Sequence, residues 1–215
     1  MPSLAVFWFY QEIEHQCMFV KMAVEDIVSC RTADNKGLFR EYYYLQVLLS
    51  SLGNISKILW PIAKKKNKVS TASPSTPCSP LLQLREARGR ELREALNIKT
   101  GSPLKSRKLR DTFEHFDERM DEWFRKTERH GFSDRNVGSF EGTTVPRPSE
   151  RLRTFVPETW TMVYCGREFK LSPTIRAVCG LYAEIQLKIC QPGKHRGLLS
   201  EDILQELIEA DNVLH

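Results

Sequence analysis

The 215 residues suit one large domain or one domain with an appendage; 41% are hydrophobic, enough for a packed core, and 27% are charged, ordinary for a soluble protein. The net charge of +5 permits an anionic partner without demanding one. Cys17, Cys30, Cys78, Cys165, Cys179 and Cys190 form no Cys-x-x-Cys pair, a usage that fits reduced thiols in the cytoplasm better than a disulfide framework.

The opening stretch from Met1 to Tyr10 is apolar, has no basic leader and is followed at once by Glu12 and Glu14. It reads as neither a signal peptide nor a membrane span. Leu4, Phe7, Tyr10, Ile13, Cys17, Val20, Val24 and Ile27 keep helical spacing, so residues 4–29 are predicted to form one long helix with these side chains inside. A turn comes next at 31–37. A second helix runs from Leu38 to Trp60, where Pro61 stops it. Gln46, Asn54, Ser56 and Lys57 interrupt its apolar run, which favours a buried helix over a bilayer span.

A flexible loop over 62–78 carries the lysine run Lys64-Lys65-Lys66-Asn67-Lys68 and a Ser/Pro-rich stretch. Three Ser-Pro pairs, Ser79-Pro80, Ser102-Pro103 and Ser172-Pro173, then read as helix starts. Serine satisfies an orphan N–H, and proline at the first helical position has none to leave over. They predict helices over about 80–98, 103–129 and 173–189. Residues 131–171 form an irregular segment followed by a small β-hairpin that turns at Cys165-Gly166. A last helix starts at the Ser200 cap. The fold expected is mainly all-α, a single domain over 1–215: an up-and-down bundle of four to six helices with a small C-terminal hairpin. Trp8, Trp60, Trp123 and Trp160 sit among apolar neighbours and read as core.

The chemistry concentrates in Arg110-Asp111-x-x-x-His115 on the expected 103–129 helix. A permanently charged guanidinium beside an imidazole suits phosphodiester cleavage. Leu109, Phe113, Phe116, Met120 and Trp123 form that helix's apolar stripe, with Asp111 and His115 roughly opposite and one turn apart. Arg110 lies about 140° from His115 by helical count, so one helix does not aim both groups at one point. A second copy packed across a two-fold axis would bring them together. The spacing alone is not distinctive. Arg125 and His130 repeat it, and Arg110–Glu114 and Asp121–Arg125 have the i,i+4 spacing of ordinary surface ion pairs.

The string Leu109-Arg110-Asp111-x-Phe113-Glu114-His115-Phe116-Asp117-Glu118-Arg119 resembles the motif of the HEPN superfamily of prokaryotic ribonucleases and toxin-related proteins, including uncharacterised bacterial members. In that family the arginine is usually followed by Asn, Asp or His, with four to six residues before the histidine. The match covers about one helix.

The resemblance implies a metal-independent endoribonuclease of toxin or defence type, active as a homodimer with its site at the interface. His115 would be the general acid/base, Arg110 would stabilise phosphate charge, and Asp111 would set the histidine tautomer or position the arginine. Arg107 and Lys108 would bind flanking RNA phosphates. Many family members have lost activity, so a silent module binding RNA or a partner protein such as an antitoxin is the alternative; a helical bundle with an unrelated interaction role is a third. No cofactor and no metal are expected, because Cys179, Cys190 and His195 match no closed zinc pattern. Phosphate-loop and dinucleotide glycine motifs are absent.

Overall fold

The computed structural model describes residues 4–32, 38–61, 80–106, 111, 114–126, 133–138, 148–189 and 197–212. The loop expected at 62–78 lies outside them. The fold is mostly helical with one small sheet. Helix α1 (Leu4–Thr32) packs along α2 (Leu38–Leu59) in the largest helix–helix interface, and α5 (Ser172–Ile189) covers another side of α1. Ile13, Cys17, Val20, Val24 and Ile27 are fully buried against Leu45, Leu48, Ile55 and Leu59 of α2 and Ile175, Val178 and Ile185 of α5. Among the described residues no helix is long and apolar enough to cross a membrane.

The α1 core row is the one expected, except at its start. Phe7 is 36% exposed, and Val6 holds the buried position. Val6, Tyr10, Ile13 and Cys17 form the row that faces inward, and Phe7 lies about 100° off it. Trp8 is 62% exposed and is not core, whereas Trp60, Trp123 and Trp160 are buried.

Helix α3 (Pro80–Ala95) crosses the end of α2. At Gly89 a Cβ would lie 2.6 Å from Pro61 Cδ and 2.9 Å from Leu59 O, so only glycine permits this approach.

The helix expected over 103–129 is not continuous. Ser102 does cap: its Oγ accepts from Leu104 N–H at 3.4 Å. The capped segment is only a single 3-10 turn, Pro103–Lys105, and at Ser106 a ψ of 103° takes the backbone out of helical geometry. Leu104 is buried, and Leu52 and Ser56 of α2 and Thr174 of α5 line the crevice beside it, so packing of this one side chain outweighs continuation. Helix α4 spans Phe116–Lys126, and just before it Asp111 and Glu114 also have helical backbone. Of the expected apolar stripe, Trp123 is buried, Met120 is half-buried and Phe116 is exposed; Leu109 and Phe113 lie outside the described residues.

Instead of a lone hairpin there is a four-stranded sheet, ordered β1 (Asn136–Val137), β2 (Arg153–Val156), β3 (Thr161–Tyr164), β4 (Arg167–Lys170). β1 runs parallel to β2, and the other pairs are antiparallel. Cys165 (φ 48°) and Gly166 (φ 71°) form the β3–β4 turn, and a side chain at 166 would also meet Ser149 Cα at 3.0 Å. A polar contact ties the sheet to α2: Tyr42 Oη donates to Asn136 O at 2.9 Å. At the sheet's own edge, Arg153 of β2 grips Asp134, just before β1, through Nε and Nη2 at 2.7 and 2.6 Å.

Helix α6 (Glu201–Asn212) starts at Ser200, whose carbonyl accepts from Leu204 N–H at 3.1 Å. Glu206 accepts from Arg31 of α1 and, at 2.9 Å, from Trp160 Nε1. Asp211 accepts from the Ser172 hydroxyl and from Arg176. The Ser172 side chain therefore serves a contact between helices, where a cap was expected; the first N–H groups of α5 bond to Leu171 O.

Candidate functional site

His115 stands immediately before α4. Its N–H donates to Asp111 O at 3.2 Å, and its own carbonyl accepts from Arg119 N–H at 3.0 Å, so Asp111 and His115 are one helical turn apart. Two anchors hold this turn. On one side Glu114 Oε1 meets Lys57 Nζ of α2 at 2.5 Å. On the other, Trp123 Nε1 donates to Ser149 O at 2.7 Å, and its ring packs edge-on against Phe124 with centroids 4.9 Å apart.

The His115 side chain is 52% exposed, and its Nδ1 lies 3.5 Å from Glu118 Oε1. This is an exposed i,i+3 approach between two solvated side chains. One turn further, Arg119 Nη1 donates to Glu122 Oε2 at 3.1 Å, and Arg167 Nη2 of β4 approaches the same oxygen at 3.9 Å. The hydrogen bond from Arg119 leads the causes that hold the Glu122 carboxyl below its ordinary range, with the charges of Arg119, Lys126 and Arg167 adding to it. Among the described residues around His115, Asp111, Glu114, Asp117, Glu118, Asp121 and Glu122 are nearly balanced by Lys57, Arg119, Arg125, Lys126 and Arg167.

Of the residues expected to act, Asp111 and His115 are brought together through the backbone turn. Arg110, Arg107 and Lys108 lie outside the described residues, as does His130 of the repeated spacing. Lys57 and Glu118 were not expected at the site. The i,i+3 spacing of His115 and Glu118 was visible in the chain, but nothing local links Lys57 to Glu114, 57 positions away. Among the described residues no group of three or more His, Cys, Asp and Glu is placed to hold a metal ion; Cys190 and His195 are not among them.

Set against known protein families, curated proteins and solved structures, the chain matches none.

Proposed function

We propose that the chain is an HEPN-like helical bundle acting as a homodimeric, metal-independent endoribonuclease, with His115 as general acid/base. The observation that carries this reading is the His115 side chain itself. It is more than half exposed, and it is seated on a turn anchored by Lys57–Glu114 and by Trp123. A histidine so held is open to proton transfer with a bound molecule. The ribose 2′-oxygen would attack the adjacent phosphorus as His115 takes its proton. The P–O5′ bond would break, giving a 2′,3′-cyclic phosphate and a 5′-hydroxyl that receives a proton. Arg110, with a second chain supplying its own pair, would carry the phosphorane charge, and Arg107 and Lys108 would hold flanking phosphates. The free thiols of Cys17, Cys30, Cys165 and Cys179 agree with a cytoplasmic setting.

A second reading has its own observation. Asp117, Glu118 and Asp121, exposed beside His115, offer carboxylates that a basic partner protein, an antitoxin among them, would meet when bound by a catalytically silent module.

Incubation of the purified chain with RNA in EDTA separates the two. The first reading expects products ending in 2′,3′-cyclic phosphate, lost in His115→Ala. If no RNA is cut, the silent module stands in its place.

A further inference from the structure

We propose that the cleft between the end of α2 and α3 binds a small phosphate monoester with an apolar body, Arg90 and Arg93 being the groups that take the phosphate. The cleft has a volume of about 400 Å³, within the roughly 300–1,000 Å³ of small-molecule sites. A bare phosphate would leave most of it empty, so the occupant carries a body. Trp60, Pro61 and Ala87 supply apolar lining, and Gln83 and Glu86 supply hydrogen-bonding groups beside the two arginines.

The arginines of α3 do not all do the same work. Arg88 and Arg93 reach back to the end of α2, where Arg88 Nη2 donates to Ile58 O at 3.4 Å and Arg93 Nη1 donates to Leu59 O. They satisfy carbonyls left over at the helix end, an ordinary structural role. Arg93 also lies over the Trp60 ring, 5.5 Å from its centroid, so its position is fixed while its remaining N–H groups stay available. Arg90 has no such role. Glu86 and Glu94 flank it at ion-pairing spacing, yet among the described residues it forms no ion pair with either. Two guanidinium groups one turn apart, one pinned and one uncommitted, suit the doubly charged, multi-oxygen head of a phosphate monoester. The single carboxylate of Glu86 leaves the lining net positive, and it can accept from a hydroxyl on the ligand. The close seating of Gly89 on Leu59 and Pro61 fixes the spacing of the two helices, so the cleft is formed in advance of binding.

Neither Asp111 nor His115 lines this cleft, and the proposal stands or falls independently of the ribonuclease reading. The test monitors the Trp60 indole resonance of the full chain, assigned by its loss in Trp60→Phe, during titration with phenyl phosphate, phenol and inorganic phosphate. Phenyl phosphate is expected to move it saturably with a Kd of about 1 mM or tighter, with phenol and inorganic phosphate each markedly weaker. Arg90→Ala is expected to weaken phenyl phosphate about tenfold, the scale of one lost charge-assisted hydrogen bond, with an unchanged melting temperature because Arg90 is exposed. Arg90→Lys keeps part of the affinity. The absence of a saturable shift, an affinity indifferent to Arg90→Ala, or inorganic phosphate binding as tightly as phenyl phosphate would each overturn the proposal.

Discussion

Lys57 Nζ lies 2.5 Å from Glu114 Oε1, joining the last turn of α2 to the residue before His115. Both side chains are partly solvated, so the pair contributes little to global stability. Lys57→Met should cost less than about 1 kcal/mol in chemical denaturation, and less still at high salt. Its effect should be local: faster amide hydrogen exchange at His115 and Arg119, whose N–H groups close the turn. Unchanged exchange there would mean that Trp123 alone anchors the segment.

Trp160 should be among the costliest single positions. It is fully buried, lies edge-on to Phe155 with centroids 5.7 Å apart, holds a left-handed φ of 46°, and donates Nε1 to Glu206. Trp160→Ala should lose about 3–5 kcal/mol, a large share of the roughly 5–15 kcal/mol a domain has. Trp160→Phe should lose less, since it removes the donor but keeps most of the ring volume. Urea midpoints for the two variants check the order.

Gly89→Ala tests the close approach of α3. In a solvated helix the change would gain about 1 kcal/mol. Here the new methyl would meet Pro61 Cδ and Leu59 O, so a net loss of about 1–3 kcal/mol is expected by thermal melting. A gain would show that α3 can lift off the end of α2.

Alkaline pH should loosen the fold through its buried thiols and phenols. Burial pushes Cys179 from 9.0 up to about 11, and Cys165 likewise to about 11; Tyr164 rises from 10.0 to about 12. Cys17 and Tyr42 rise in the same direction, burial again being the main cause. Each group holds its proton more tightly folded than unfolded. Their contribution is fully present below about pH 9 and lost as pH rises toward about 12. Denaturation midpoints should therefore be flat with respect to these groups up to about pH 9 and fall above it. At pH 8 a thiol with a pKa of about 11 is thiolate in only about one molecule in a thousand. Alkylation of Cys179 in the native chain should be correspondingly slow, and fast labelling would contradict a thiol held up by its partial burial.

The features legible directly in the chain were those that rest on local chemistry. The apolar row of α1 from Tyr10 to Ile27, the stop at Pro61, the Cys165-Gly166 turn and the Ser200 start all depend on neighbours within a few residues. The features that were not legible depend on distant partners. Ser172 reads as a cap until Asp211 arrives from α6. Pro103 reads as the start of a long helix until Leu104 finds its crevice between α2 and α5. Strand β2 shows no alternation because Thr154 and Phe155 are both buried, so its two faces carry the same signal. The one-turn relation of Asp111 and His115 was legible from their spacing. The cleft at Trp60 was not, because Trp60 and Arg93 meet only once α3 folds back on α2.

The contacts that close α1 have a temporal consequence. Glu14 waits for Gln186, Lys21 for the Leu198 carbonyl and Arg31 for Glu206, separations of 172, 177 and 175 residues. At ribosomal speeds of about 5–20 residues per second, that delay is roughly 10 to 35 s. Throughout it, the side of α1 that α5 will cover has no native partner, while α2, and then Arg88 of α3 over the Phe9 ring, can already meet α1. Helix α1 is thus fully enclosed long after it is made, and the nascent chain depends on the elements made soon after it, or on a chaperone, to shield Cys17 and its neighbours meanwhile.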